Sequence, residues 1–207
     1  MCSNHSTRKS GTTRSDMCIS FIELLQTSIR VQGSETCEQR AEKAVNVHKC
    51  CTMPSIAKIE TLKAVVDDLI KNVDPTSSKF HCLFASKLFE ALNLKDFDKA
   101  TYKAYMPTIV QDPEWLTIYE NVTNHCVDNL SKYEEFYGKI FKLPKEECDV
   151  RYTAFLDCVM GTAFVFCPAK SFTDSTECKG TRSFLTECYE NDHAMDIYIK
   201  NQMKLPS

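Results

Sequence analysis

The stretch "CDVRYTAFLDCVMGTAFVFCP" spans residues 148–168. Nine residues lie between Cys148 and Cys158, eight lie between Cys158 and Cys167, and Pro168 follows at once. Cys178 and Cys188 continue the rhythm at intervals near ten. Each residue of an α-helix advances ~100° and ~1.5 Å. If one helix carries both Cys158 and Cys167, they face opposite sides and stand ~13 Å apart along the axis. That is beyond the reach of a direct disulfide. Such a helix is stapled to two different neighbours and belongs in the middle of a bundle. A Cys148–Cys167 bond requires the chain to reverse just before Cys158.

Twelve cysteines in 207 residues are many for a reducing compartment. No CxxC occurs, so neither paired zinc ligands nor a thioredoxin-type redox pair is expected. Disulfides, and hence secretion to an extracellular space, fit the count better. The segment "MCISFIELLQTSIRVQG" from Met17 is a poor secretory leader, because Glu23 and Gln26 interrupt its apolar core. Residues 1–33 are read as a degenerate leader or a misplaced start, and Cys2 and Cys18 go with them. No run reaches the ~18 apolar residues of a membrane helix, so membrane insertion is not expected. The sequons at Asn121 and Asn129 are compatible with secretion. The net charge of −3 and the lack of a long basic run argue against nucleic acid as a partner.

Five glycines and seven prolines are too few for the turns of an antiparallel β fold. Apolar residues instead recur at helical spacing, which predicts an all-α domain over residues 34–200. Residues 34–51 read as partly helical. A helix beginning in its first turn at Pro54 and Ser55 carries Ile56, Ile59, Leu62, Val66, Leu69 and Val73 on one face. After a break at 73–78, a second amphipathic helix carries Phe80, Leu83, Phe84, Leu88 and Leu92. A shorter one stops at Pro107. Asp112 as N-cap and Pro113 at the first position open a long helix that runs to Gly138. Another follows Pro144 through the quoted stretch, and the last covers "STECKGTRSFLTECYEND". The total is six or more helices. A helical domain of this size folds without several bridges, each of which adds ~2–4 kcal/mol. Surplus bridges are explained if they hold helices around a hydrophobic cavity that packing alone would collapse.

The run C-x21-C-x9-C-x8-C-P-x9-C, formed by Cys126, Cys148, Cys158, Cys167, Pro168 and Cys178, resembles the insect odorant-binding proteins. It is similar in particular to their Plus-C branch, whose N-terminal cysteine pair is matched by "CCTMP" at Cys50 and Cys51. "FLDC" and the aromatic after "CPAKSF" also fit. The resemblance implies Cys82–Cys158 and Cys148–Cys167 bridges. It departs from the family at Ser86, where a cysteine is expected, so the bridge from the CC pair to that position cannot form. Cys37, Cys50, Cys51, Cys126, Cys178 and Cys188 then remain, with fifteen possible pairings. Cys178 and Cys188 are expected to tie a C-terminal extension, from about residue 168, back to the body.

The function implied is that of a secreted chemosensory carrier for small hydrophobic, odorant-like ligands, with no cofactor and no metal. An olfactory receptor is the implied protein partner, and a cysteine without its family partner invites a homodimer. Candidate lining residues are Phe84, Leu88, Leu92, Met106, Ile109, Trp115, Tyr119, Phe155, Val159 and Phe164, with ordinary core packing as the competing role for each. Tyr119 and Tyr152 offer hydroxyls to a ligand, and His48, His81, His125 and His193 are candidate pH sensors. An enzyme is not expected: "CCTMPS" lacks the histidine that follows the pair in secreted phospholipases, and no HExxH, GxSxG or P-loop occurs. The alternative reading is a disulfide-braced extracellular interaction module without a ligand pocket.

Overall fold

A computed structural model describes residues 35–203; the expected leader, with Cys2 and Cys18, and the final "KLPS" lie outside the described residues. The described residues from Thr36 onward form one compact unit. Ten α-helices follow in order: α1 Cys37–Lys43, α2 Val47–Cys50, α3 Ile59–Leu69, α4 Ser78–Ala91, α5 Lys99–Tyr105, α6 Pro113–Asp128, α7 Leu130–Phe141, α8 Val150–Val165, α9 Thr176–Glu187 and α10 Asp192–Met203. The all-α expectation holds, and the only β feature among the described residues is an isolated bridge between Cys51 and Phe172.

Short polar side chains set the helix starts. Ser77, Asp98, Asp112, Asp149 and Ser175 each accept a backbone N–H from the first turn of α4, α5, α6, α8 and α9. Asp112 does so at 2.9 Å from Glu114 N, with Pro113 at the first helical position as expected. Thr36 and Gln39 close a capping box on α1.

Three boundaries differ from expectation. The third helix starts at Ile59, not at Pro54, because Ser55 turns its hydroxyl onto the Ala57 carbonyl at 2.6 Å and holds a bend. Ile59 is consequently 70% exposed, not inward. The long helix from Pro113 breaks at Asn129, whose Nδ2 donates to the His125 carbonyl at 2.8 Å. Gly138 lies inside α7, and the helix ends instead at Lys142, in the left-handed conformation with φ 52°. Finally, α10 follows the last expected helix.

α8 lies at the centre, packed against α4, α6, α7 and α9. The Cys82–Cys148 bridge and the Phe89–Phe155 ring contact both link α4 to the α8 region. Each partner is seven residues further along in its own chain segment, so the two helices run in the same direction. Phe89, Phe97, Tyr102, Tyr152 and Phe155 form an aromatic cluster there, with centroids 4.9–6.1 Å apart. Edge-to-face and tilted pairs of this kind add to the stabilisation from area alone.

All ten cysteines of the described residues are bridged: Cys37–Cys188, Cys50–Cys178, Cys51–Cys167, Cys82–Cys148 and Cys126–Cys158. The Cys82–Cys158 and Cys148–Cys167 pairs implied by the family resemblance do not occur. α8 runs unbroken from Val150 to Val165, so Cys148 and Cys167 stand just beyond its two ends, which are ~24 Å apart along the axis. Cys158 faces α6 and meets Cys126, leaving Cys148 to Cys82. Cys158 and Cys167 do fasten to two different elements, although the single helix expected to carry both ends at Val165 and Cys167 sits just beyond it. With every described cysteine paired inside the chain, no described thiol is left to bridge a second copy.

The extension after Pro168 is tied to the N-terminal segment at three levels. Cys178 and Cys188 bond Cys50 and Cys37, and Cys167, just before the extension, bonds Cys51. Backbone bonds Thr52 N to Ser171 O (2.9 Å) and Thr173 N to Cys50 O (2.8 Å) join the two segments as well. Arg182 lies over the Phe172 ring at 3.6 Å and donates to the Cys167 carbonyl at 3.0 Å. Arg40 bonds Glu187 at 2.9 Å and Ser183 at 2.8 Å.

Candidate functional site

α8 separates two cavities. The first, about 650 Å³, lies among α6, α7, α8, α9 and α10. Its walls are largely apolar, with Val122, Phe136, Ala154, Val165 and Leu185 among them. Phe166 and Tyr189 also line it and are 61% and 47% exposed, an apolar rim at its mouth. The second, about 580 Å³, lies among the 46–56 segment, α3, α4, α8 and α10. Met53, Ile56, Phe84, Leu88, Met160 and Met203 are in its wall. Methionines suit a wall that must adapt to varied shapes.

The helical period of α8 assigns its residues to the two sides. Cys158, Thr162 and Val165 line the first cavity, whereas Thr153, Leu156 and Met160 line the second. Asp157 and Gly161, one turn apart, line both, together with Tyr137, Leu185, Met195 and Ile199. The two spaces therefore meet at a shared wall. A Cβ placed on Gly161 would meet nothing within 4 Å. The residue thus leaves open volume where the cavities adjoin, although a glycine inside a helix costs about 1 kcal/mol relative to alanine.

Asp157 is the one charged residue between Arg151 and Lys170. It is set deep in the protein yet keeps an intermediate accessible surface, because it faces the cavities. The Tyr137 hydroxyl donates to its Oδ2 at 2.8 Å. Burial pushes the Asp157 carboxyl up to about 6, and the tyrosine hydrogen bond lowers it only in part. Burial, with Asp157 beside it, raises the Tyr137 hydroxyl well above its ordinary value, so this group remains a donor. In the second cavity's wall, burial lowers both His48 and His81, which favours their neutral forms. Thr153 Oγ1 and His81 Nε2 there have no hydrogen-bond partner among the described residues.

The residues expected to line a pocket are dispersed. Phe84 and Leu88 are in the second cavity's wall. Leu92, Met106, Phe155 and Val159 converge on a space of only about 10 Å³ beside the aromatic cluster. Trp115, Tyr119 and Phe164 are fully buried in the core, and Ile109 packs at its edge. The two tyrosine hydroxyls expected to face a ligand are spent on backbone: Tyr119 donates to Pro54 O at 2.7 Å and Tyr152 to Lys95 O at 3.2 Å. Missing from the expectation was the Tyr137–Asp157 pair. A lone acid in the most apolar helix was its sequence signal. Among the described residues no group of three or more potential metal ligands gathers, and no helix is long and apolar enough to cross a membrane.

Fold and site together define a helical shell, stapled by disulfides, around two adjoining apolar cavities. The chain is similar to general odorant-binding protein 68 of Anopheles gambiae, with 27% identity over 166 residues that cover 76% of this chain and 78% of that protein. General odorant-binding protein 67 of the same mosquito is 25% identical over 147 residues, 65% of this chain and 70% of its own length. No family model matches the chain, and no solved structure matches it.

Proposed function

We propose that this chain is a secreted, non-enzymatic carrier of small hydrophobic, odorant-like ligands, built on the Plus-C variant of the odorant-binding plan. The observation that carries this reading is the about 650 Å³ apolar cavity that shares a wall with a second of about 580 Å³ along one helix. Volumes of this size suit small organic ligands. A braced interaction module would gain stability by filling such space, since unfilled apolar cavities are costly. The disulfides support secretion, and the similarity to two mosquito proteins named for odorant binding supports the cargo class. Phe84 and Leu88 contact ligand in the second cavity, while Leu92, Met106, Ile109, Trp115, Tyr119, Phe155, Val159 and Phe164 support the walls. Delivery to an olfactory receptor is the partner step that such a carrier serves.

Oxidatively refolded protein titrated with a fluorescent apolar probe should bind it saturably at micromolar concentration. Volatile alcohols, aldehydes and esters should displace the probe. Absence of saturable binding across such a panel would contradict the carrier reading.

A further inference from the structure

Asp157 stands in an unusual setting. Among the described residues only one neutral donor, the Tyr137 hydroxyl, bonds it, and no cationic side chain contributes to its environment. The cations around the first cavity are engaged elsewhere: Lys139 with Glu135 at 2.9 Å and Lys132 with Glu190 at 3.4 Å. His125 lies against the Asn129 side chain. On the other side of α8, His48 and His81 are shifted toward the neutral form by burial. An ionised carboxylate inside an apolar space is costly unless paired, and an incoming cation relieves that cost. The carboxylate also faces both cavities, so a ligand in either has access to it.

We propose that Asp157 is the polar anchor of the ligand site and selects organic amines, holding a protonated amino group at the wall shared by the two cavities while an apolar body fills one of them. The proposal rests on the carrier reading and narrows its cargo. Tyr137 fixes the carboxylate through Oδ2 and leaves Oδ1 for the ligand. Gly161, one turn further along α8, leaves the space through which the ligand's first carbons pass.

Octylamine and 1-octanol differ only in the head group and make the test. Their affinities are measured by displacement of a fluorescent apolar probe at pH 7.5, where an alkyl amine is protonated. In the wild-type protein octylamine should bind at least tenfold more tightly than 1-octanol. In Asp157→Asn the ratio should fall to about one. In Tyr137→Phe, which keeps the carboxylate, it should stay above tenfold. Circular dichroism melts confirm that each variant is folded. Equal affinities in the wild-type protein, or a preference that survives Asp157→Asn, would overturn the anchor and leave the carrier reading standing. If neither compound displaces the probe, or no probe binds, both readings fall.

Discussion

Asp157 should leave a mark on stability whether or not a ligand is present. The native carboxyl keeps its proton to about pH 6, whereas the ordinary value is 3.8. Between those values the native state holds more protons than the unfolded chain, so stability falls as pH rises through the window and levels above it. The loss is on the order of 1–3 kcal/mol, reduced by whatever water enters the cavity. Asp157→Asn keeps an oxygen for the Tyr137 hydroxyl but does not ionise. Urea melts at pH 4 and pH 7.5 should show the variant gaining stability over wild type at the higher pH only. An equal difference at both pH values would mean that Asp157 does not titrate in that window. The acid itself was visible in the sequence as a lone charge in an apolar stretch. Its partner was not, because Tyr137 reaches it from α7 across a loop, and no periodicity encodes that contact.

At the level of elements, α8 was readable from its own sequence and its neighbours were not. Helix periodicity puts Cys158 and Cys167 on different elements if one helix carries both, which follows from ~100° per residue; α8 ends at Val165, and the two cysteines still fasten to different elements. Which elements these are depends on how α6 and the Cys50–Cys51 segment pack, and that is a long-range property. The implied Cys148–Cys167 bridge failed for a local reason, since Val150–Val165 forms one uninterrupted helix. α10 went unread because "DHAMDIYIKNQM" has no clear apolar stripe; it is held by packing of Ala194, Tyr198 and Ile199 and by the Asn191 cap. The bridges can be checked directly. Non-reducing proteolysis should yield a peptide linking the Cys82 and Cys148 segments and another linking those of Cys126 and Cys158. Recovery of Cys82 linked to Cys158 would contradict the arrangement around α8.

For the molecule as a whole, the bridges and the cavities are two sides of one design. Bridges such as Cys37–Cys188 and Cys50–Cys178 join residues more than a hundred positions apart, and closing long loops removes entropy from the unfolded chain. That stabilisation offsets the packing forgone around the two cavities, and the cystines pin α8 and α9, which wall the first of them. The all-α class and the surplus of bridges were legible in the sequence. The position of the cavities was not, since most of the residues that looked suited to a lining pack in the core or around a space of only about 10 Å³.

The most direct measurement is an apolar-probe titration of the wild-type protein beside Gly161→Phe. A Cβ at Gly161 meets nothing within 4 Å and starts the new ring at the wall shared by the cavities, and replacing a mid-helix glycine does not weaken the helix. The variant should therefore melt no lower than wild type while its probe affinity falls at least tenfold from a micromolar value. Unchanged affinity in a folded Gly161→Phe protein would contradict the claim that ligands are held inside, along α8.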